Sequence, residues 1–391
     1  MTGPVLCLNA GSSSLKFALW PAAAGARRLA AGVVEGLGGD APRVRLRDAD
    51  GRVVRDEPAA ARDAAAAVPC AWAALAAHDH PPPAAVGHRL VHGGPTFAAP
   101  VRLDAATRAA LDAVVELAPL HLPGELAVVD AAAAHFPGVP QVACFDTAFH
   151  RGMPAVARRL PLPRALRARG VERYGFHGLS YEYVVGRLGS EAAGRVVIAH
   201  LGSGASLAAV RDGAPVDTTM GFTPAGGVVM GTRSGDLDPG VPVHLLRHGF
   251  DAEALERLVT HESGLLGLSG TTADMAALLA RRDRDPAAAE AVASFCWSVR
   301  KAVGALAAAL DGLDVLVFTG GIGEHAAAVR AEVCAGLSHL GVRLDPARNA
   351  AHAERIGAAD ARCAVRVVAT DEERVVARHT AAVLGLAAGG V

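Results

Sequence analysis

VLCLNAGSSSLKFALW, residues 5–20, is an apolar run, a turn of small polar residues and a second apolar run. The pattern predicts a β-hairpin with strands at 5–8 and 15–20 around a turn at 9–14. The turn is dense in donors. Gly11 permits close backbone approach, Ser12, Ser13 and Ser14 carry hydroxyls, and Lys16 adds a positive charge, a set that suits polyphosphate oxygens. Composition sharpens this reading. Lys16 and Lys301 are the only lysines among 38 basic residues, and Asn9 and Asn349 are the only asparagines. A chain so sparing of both types places one of each in this hairpin.

The 391 residues suit two domains with an ample core. A net charge of −1 gives no basic footprint for nucleic acid, so a small polar substrate is the better expectation. Six scattered cysteines without metal-ligand spacing read as reduced core residues of a cytoplasmic protein. No basic-then-apolar leader opens the sequence, and the alanine-rich stretch 59–77 is broken by Arg62, Asp63 and Pro69, so no membrane span is expected.

Outward from the hairpin, residues 27–56 alternate as further antiparallel strands, and 59–78 read as helical. The stretch AVGHRLVHGG is a short strand ending in His88, Arg89 and His92; a strand-end ion pair with incidental histidines reads it as well as a functional cluster does. Helices are expected at 105–117 and 126–135, with a loop holding His121 between them. QVACF, 141–145, is a buried strand with Asp146 at its C-terminal end, where α/β sheets place functional acids as well as caps. His177 stands ahead of a helix expected to begin near Ser180.

RVVIAHLGSGASLAAVRDG, 195–213, repeats the plan of the first hairpin, with His200 against Asn9 and Gly202-Ser203 against Gly11-Ser12. Two phosphate-cradling hairpins half a chain apart imply two halves of like fold, each giving one loop to a cleft between them. A glycine-rich loop, 220–240, carries Arg233, Asp236 and Asp238, and a strand at 314–319 enters the turn Gly320-Gly321-Ile322-Gly323, which suits a nucleotide against backbone. Thr370 is positioned to cap a last helix, whose Asp371, Glu372 and Glu373 serve the macrodipole or a metal. No GxxxxGK[ST] and no kinase HRD or DFG triplet occurs. The separated acids Asp146 and Glu372 with these turns describe a site for a nucleoside triphosphate and a divalent metal, where phosphoryl transfer needs converging donors and cations.

NAGSSSLKF, HRLVHGG, APLH, FDTAFH, RYGFHG, HLGSGAS, MGTRSGDLDPG, GGIGE and TDEE, in that order from residue 5 to about 378, resemble the acetate kinase family of the sugar kinase, Hsp70 and actin superfamily. The resemblance implies an α/β fold of two actin-like, ribonuclease H-like domains with the active site in the interdomain cleft. Domains are expected at 1–147, with the helix 375–391 packing back on it, and at 148–374, which binds nucleotide. The activity implied is reversible, direct in-line phosphoryl transfer from ATP to acetate, giving acetyl phosphate and ADP. By the resemblance, Asn9 and Glu372 serve magnesium, with manganese as the alternative ion, and Lys16, Ser12 and Ser14 serve phosphates. Arg89 and Arg233 hold the carboxylate and the charge on the transferring group, with His177 bonding it in the transition state. Asp146 is implied to position substrate or to act as acid/base, and orientation is the better-suited task because acetate is already ionised at pH 7. His121 stands near the acetate. His200, Leu201, Gly202, Ser203 and Gly204 lie on the β- and γ-phosphates; Asp274, Met275 and Ala276, with Gly321, Ile322, Gly323, Glu324 and His325, take the adenosine end. Val91, Leu120, Phe176 and Pro224 match the family's small acetate pocket, and a homodimer is implied.

Some positions depart from the family pattern. Ala276 stands where an arginine is usual, His325 where GIGEN has asparagine, His121-Leu122-Pro123-Gly124-Glu125 where His-Asn-Pro-Pro-Asn is usual, and Tyr181 where a second histidine follows FHG. These changes leave open a propionate or butyrate kinase, a donor such as pyrophosphate or another nucleotide, and a non-catalytic nucleotide-binding protein. Retention of Arg89, Asp146, His177, Arg233 and Glu372 argues against the last.

Overall fold

The computed structural model describes residues 3–386 apart from Ser12 and Ala24. Contacts divide the chain into two compact units, Met1–Ala148 with Asp371–Val391, and Phe149–Thr370.

The first unit is built on an eight-stranded sheet of order β5-β4-β3-β2-β1-β6-β8-β7. Its strands are β1 Val5–Ala10, β2 Ser14–Trp20, β3 Ala30–Glu35, β4 Arg43–Asp48, β5 Val53–Pro58, β6 Ala85–Leu90, β7 Val101–Leu103 and β8 Gln141–Phe145. Alternation decides the faces. Leu15, Phe17 and Leu19 of β2 point with Val34, Val44 and Leu46 into a core closed by Val68, Ala71 and Leu75 of the helix Ala67–Ala76. The helix Glu372–Val383 packs on β1, β6 and β8. A Cβ on Gly87 would stand 2.3 Å from Thr380 Oγ1, so glycine is what lets that helix seat on β6.

The second unit carries a five-stranded sheet of order β11-β10-β9-β12-β13, from β9 Arg195–Leu201, β10 Ala205–Arg211, β11 Ala214–Thr218, β12 Val315–Thr319 and β13 Ala364–Val367. One face takes Tyr181, Val184 and Leu188 of the helix Gly178–Leu188 against Val196, Ile198, Ala208 and Val317. The long helix Pro286–Ala309 packs on β9, β10 and β11.

The expected repeat is a property of both sheets. The first unit's β3-β2-β1-β6-β8 and the second unit's β11-β10-β9-β12-β13 share order and direction, two antiparallel pairings followed by two parallel ones. Register makes the match residue by residue. Asn9 pairs with Arg89, and Arg89 pairs with Cys144, two residues ahead of Asp146. His200 pairs with Thr319; Phe318 pairs with Val367, which sets Thr319 level with Val368, two residues ahead of Thr370.

Boundaries differ from the sequence expectations for identifiable reasons. Asn9 lies on β1, because it pairs with Lys16 across the hairpin, and the strands run on to Ala10 and from Ser14. The helical reading of 59–78 holds only for Ala67–Ala76. The helix after His121 starts at Leu122, with Pro123 in its first turn, where a missing N–H costs nothing. The helix expected after the glycine turn already begins at Gly320, so Gly320–Gly323 lie within the helix Gly320–His325. Asp371 caps the last helix instead of Thr370, its side chain accepting from the Arg374 N–H.

Candidate active site

In the first unit Arg89 organises the end of β6. Its Nη1 donates to Glu125 Oε1 at 2.9 Å and its Nη2 to Asp146 Oδ2 at 2.5 Å, while Glu125 Oε2 accepts from the Val91 N–H at 2.8 Å. Glu125 and Asp146 are both buried. Burial raises the Glu125 carboxyl to about 7 although Arg89 and the Val91 N–H pull it down. Burial likewise raises Glu372 to about 7, with the charge of Asp146 adding to the rise and Arg89 and Lys16 opposing it. Burial lowers Arg89, but Asp146, Glu125 and Glu372 more than compensate and hold it above its ordinary value. Three carboxylates thus lean on Arg89.

Asn9 Nδ2 lies 3.4 Å from Glu372 Oε2, and Asp146 Oδ1 is buried with no hydrogen-bond partner among the described residues. An excess of buried acid and an orphaned oxygen fit a divalent cation held by Glu372 and the Asn9 amide oxygen. Among the described residues no cluster of three or more His, Cys, Asp or Glu is set to hold a metal.

The other first-unit candidates divide. Lys16 is exposed on β2, Ser14 is half-buried, and Ser12 lies outside the described residues. His121 is the N-cap residue of Leu122–His135, Val91 is buried and Leu120 is 47 % exposed. The other histidines of the β6 cluster are buried. His88 is buried 2.5 Å from Gln141 Oε1, burial lowering its pKa to about 4, and His92 Nδ1 accepts from the Gly94 N–H at 2.8 Å.

In the second unit His177 takes left-handed backbone angles, φ 59° and ψ 24°, as the N-cap of Gly178–Leu188. Two residues earlier, a Cβ on Gly175 would press within 2.6 Å of the His150 ring, so only glycine makes the approach. His150, its pKa lowered to about 4 by burial, is a neutral ring whose Nε2–H donates to the Phe176 carbonyl at 2.9 Å. His177 and His200 stack with centroids 4.3 Å apart at 20°. Their Nδ1 atoms lie 2.8 Å from Ser206 Oγ and 2.8 Å from Ser180 Oγ, respectively. A Cβ on Gly204 would stand 3.4 Å from both His177 Nε2 and Arg233 Nη1, so the imidazole, the guanidinium and the Gly202–Gly204 turn meet at one spot. Arg233 Nη1 also donates to the Pro224 carbonyl at 3.2 Å, and Asp236 fixes that loop by accepting from the Gly227 N–H. Leu201 and Phe176 are buried, whereas Ser203 is exposed.

Asp274 is the N-cap of Met275–Leu279, Met275 is buried and Ala276 is exposed. In Gly320–His325, Glu324 Oε1 accepts from the N–H groups of Gly320 and Thr370 at 2.9 and 3.1 Å, and the His325 side chain is largely exposed. Gly321, Ile322 and Gly323 lie in that helix's opening turns. Arg330 is fully buried, with no ion-pair partner within 4 Å among the described residues; it donates to the carbonyls of Gly323, Glu324 and Asn349 and to Asn349 Oδ1, each at 2.8 or 2.9 Å.

Sequence reasoning missed Glu125, Ser180, Ser206, Thr370 and Arg330. Only Arg330 had a legible signal: its anchor Asn349 is one of the two asparagines.

Residues 4–378 match the model of the acetokinase family. Acetate kinases of Rhodopseudomonas palustris (strain CGA009) and Rhizobium meliloti are each 46 % identical, the first covering all of both chains and the second 97 % of this chain and 98 % of its own. A crystal structure of Porphyromonas gingivalis acetate kinase superposes with a TM-score of 0.86 at 36 % identity, covering 98 % of this chain and all of that one. A propionate kinase from Francisella tularensis gives 0.90 at 33 %, covering 97 % and 99 %. The two repeated α/β units are actin-like domains, and this chain belongs to the acetokinase family.

Proposed function

We propose that the protein transfers the γ-phosphoryl group of ATP reversibly to the carboxylate of acetate. The observation that carries this reading is the meeting of His177 Nε2 and Arg233 Nη1 at Gly204, donors aimed at one spot as phosphoryl transfer requires. Arg233 and His177 stabilise charge on the equatorial oxygens. Arg89, held by Glu125 and Asp146, presents a fixed guanidinium to the carboxylate, and His121 and Asp146 orient it. Val91, Leu120, Phe176 and Pro224 are assigned to the methyl group. The turn at 202–204 with His200, and Lys16 with Ser12 and Ser14, take the phosphates; Asp274–Ala276 and Gly321–His325 take the nucleoside. Glu372 and Asn9 would hold magnesium, which when bound neutralises phosphate charge.

Acyl phosphate trapped with hydroxylamine tests this: acetyl hydroxamate formed with Mg-ATP, falling with propionate and butyrate, is expected. No product from any donor and acid would overturn it. The likeness to a propionate kinase keeps longer acids as a second reading, favoured if turnover rises with acyl length.

We also propose a homodimer. The helix Gly240–Arg247 buries none of its residues and lies among Leu237, Val243 and Leu246, each at least 45 % exposed, an apolar face suited to a second copy. Light scattering on the eluted peak gives the answer, and a monomer at micromolar concentration removes the proposal. A cytoplasmic setting accords with six free cysteines. Among the described residues no helix is long and apolar enough to cross a membrane.

A further inference from the structure

Two chains of hydroxyl groups run behind the stacked histidines. Ser206 Oγ, 2.8 Å from His177 Nδ1, lies 2.5 Å from the buried Tyr181 hydroxyl. Ser180 Oγ, 2.8 Å from His200 Nδ1, lies 2.8 Å from Thr370 Oγ1. Each serine has one hydrogen to give, so each chain has a single proton order once one end is set. A phenol is a stronger donor and a poorer acceptor than an alkyl hydroxyl, which sets the first chain. Tyr181 donates to Ser206, and Ser206 donates to His177 Nδ1.

We propose that Tyr181 and Ser206 are positioning residues that hold His177 as the Nε2–H tautomer. The consequence follows from geometry. An imidazole whose Nδ1 accepts must carry its proton on Nε2, and His177 Nε2 is the atom aimed at Gly204 beside Arg233. The opposite order would point a lone pair at the phosphoryl oxygens and repel them. Ser206 sits on β10 and Tyr181 on the helix Gly178–Leu188, so the relay is fixed between two packed elements of one unit. Tyr181 occupies the place where the family pattern has histidine, so the phenol is this chain's own way of setting the order. The inference rests on the reading of His177 as a donor to the transferring group.

The test is nitrogen NMR of the full-length protein labelled with ¹⁵N-histidine, with His177 assigned by the signals lost in His177→Gln. A pyrrole-type Nε2 and a pyridine-type Nδ1 are expected; a protonated Nδ1 would overturn the relay. In steady-state kinetics, Ser206→Ala should lower kcat about tenfold, the value of one well-placed hydrogen bond, with the KM for ATP and for acetate within about twofold. Tyr181→Phe should lower kcat less, and Ser206→Thr should restore it. Wild-type kcat in folded Ser206→Ala would also overturn the proposal. Should Ser206→Ala not fold, the wild-type spectrum still decides. Unchanged kcat in His177→Gln would instead remove the donor reading of His177, whatever its tautomer.

Discussion

Glu125 spends both carboxylate oxygens on the end of β6, one on Arg89 Nη1 and the other on the Val91 N–H. The pair turns a flexible arginine into a fixed one, and Val91, assigned to the acetate pocket, is tied by the same carboxylate. Glu125→Gln keeps the shape and drops the charge. It should raise the KM for acetate about tenfold while changing the KM for ATP little, as expected of one charge-assisted bond. Acetate saturation curves at fixed Mg-ATP check this, and equal changes in both constants would refute it.

The same residue makes a pH prediction. The Glu125 carboxyl is raised to about 7 against an ordinary 4.5, so the folded state binds the proton more tightly than the unfolded one. Its contribution is therefore present in full below about pH 4.5 and is lost as pH rises through about 7. Denaturant midpoints measured without divalent metal should fall between pH 5.5 and 7.5, and Glu125→Gln should flatten that slope.

Arg89→Ala and Arg233→Ala should each lower turnover by about 10³-fold or more, the scale of an arginine that stabilises phosphoryl transfer. The hydroxylamine assay measures it. Near-normal turnover in either variant would exclude that arginine from the mechanism.

Ala276 is exposed beside Asp274, whose Oδ1 serves as a helix cap, so residues 274–276 offer no arginine to select a nucleobase. GTP should support the reaction within about tenfold of ATP, and Ala276→Arg should widen the gap. The ratio of kcat/KM values for the two nucleotides is the readout.

Arg330→Met should be costly. It strands the Gly323 and Asn349 carbonyls and Asn349 Oδ1 in a buried place, while the Glu324 carbonyl keeps His352 Nδ1 at 3.0 Å, a loss on the order of 3 to 5 kcal/mol at one to a few kcal/mol for each unsatisfied group with partial relaxation. A melting temperature within a degree of wild type would contradict this account.

The hairpins, the buried strands and the repeat were legible because apolar alternation and small-residue turns are local signals. Asn9, His200 and Arg233 stood out by type and setting. The supports of these residues did not. Glu125 meets Arg89 across 36 residues, and Thr370 reaches Ser180 across 190. Ser206 looked like one more small residue in an apolar strand. The glycines of 320–323 suggested a turn ahead of a helix, but with the Glu324 carboxylate accepting from the Gly320 N–H they open the helix themselves. Tertiary contact, and not propensity, decides each of these.

The register equivalence of the two sheets implies a division of labour after duplication. Three matched positions read Asn9, Arg89 and Asp146 in one unit and His200, Thr319 and Thr370 in the other. One copy holds a charged pair, Arg89 and Asp146, where the other holds two threonines. Grafting Arg89 alone onto Thr319 would therefore ask the second copy to carry a charge for which Thr370, at the position matched to Asp146, supplies no carboxylate.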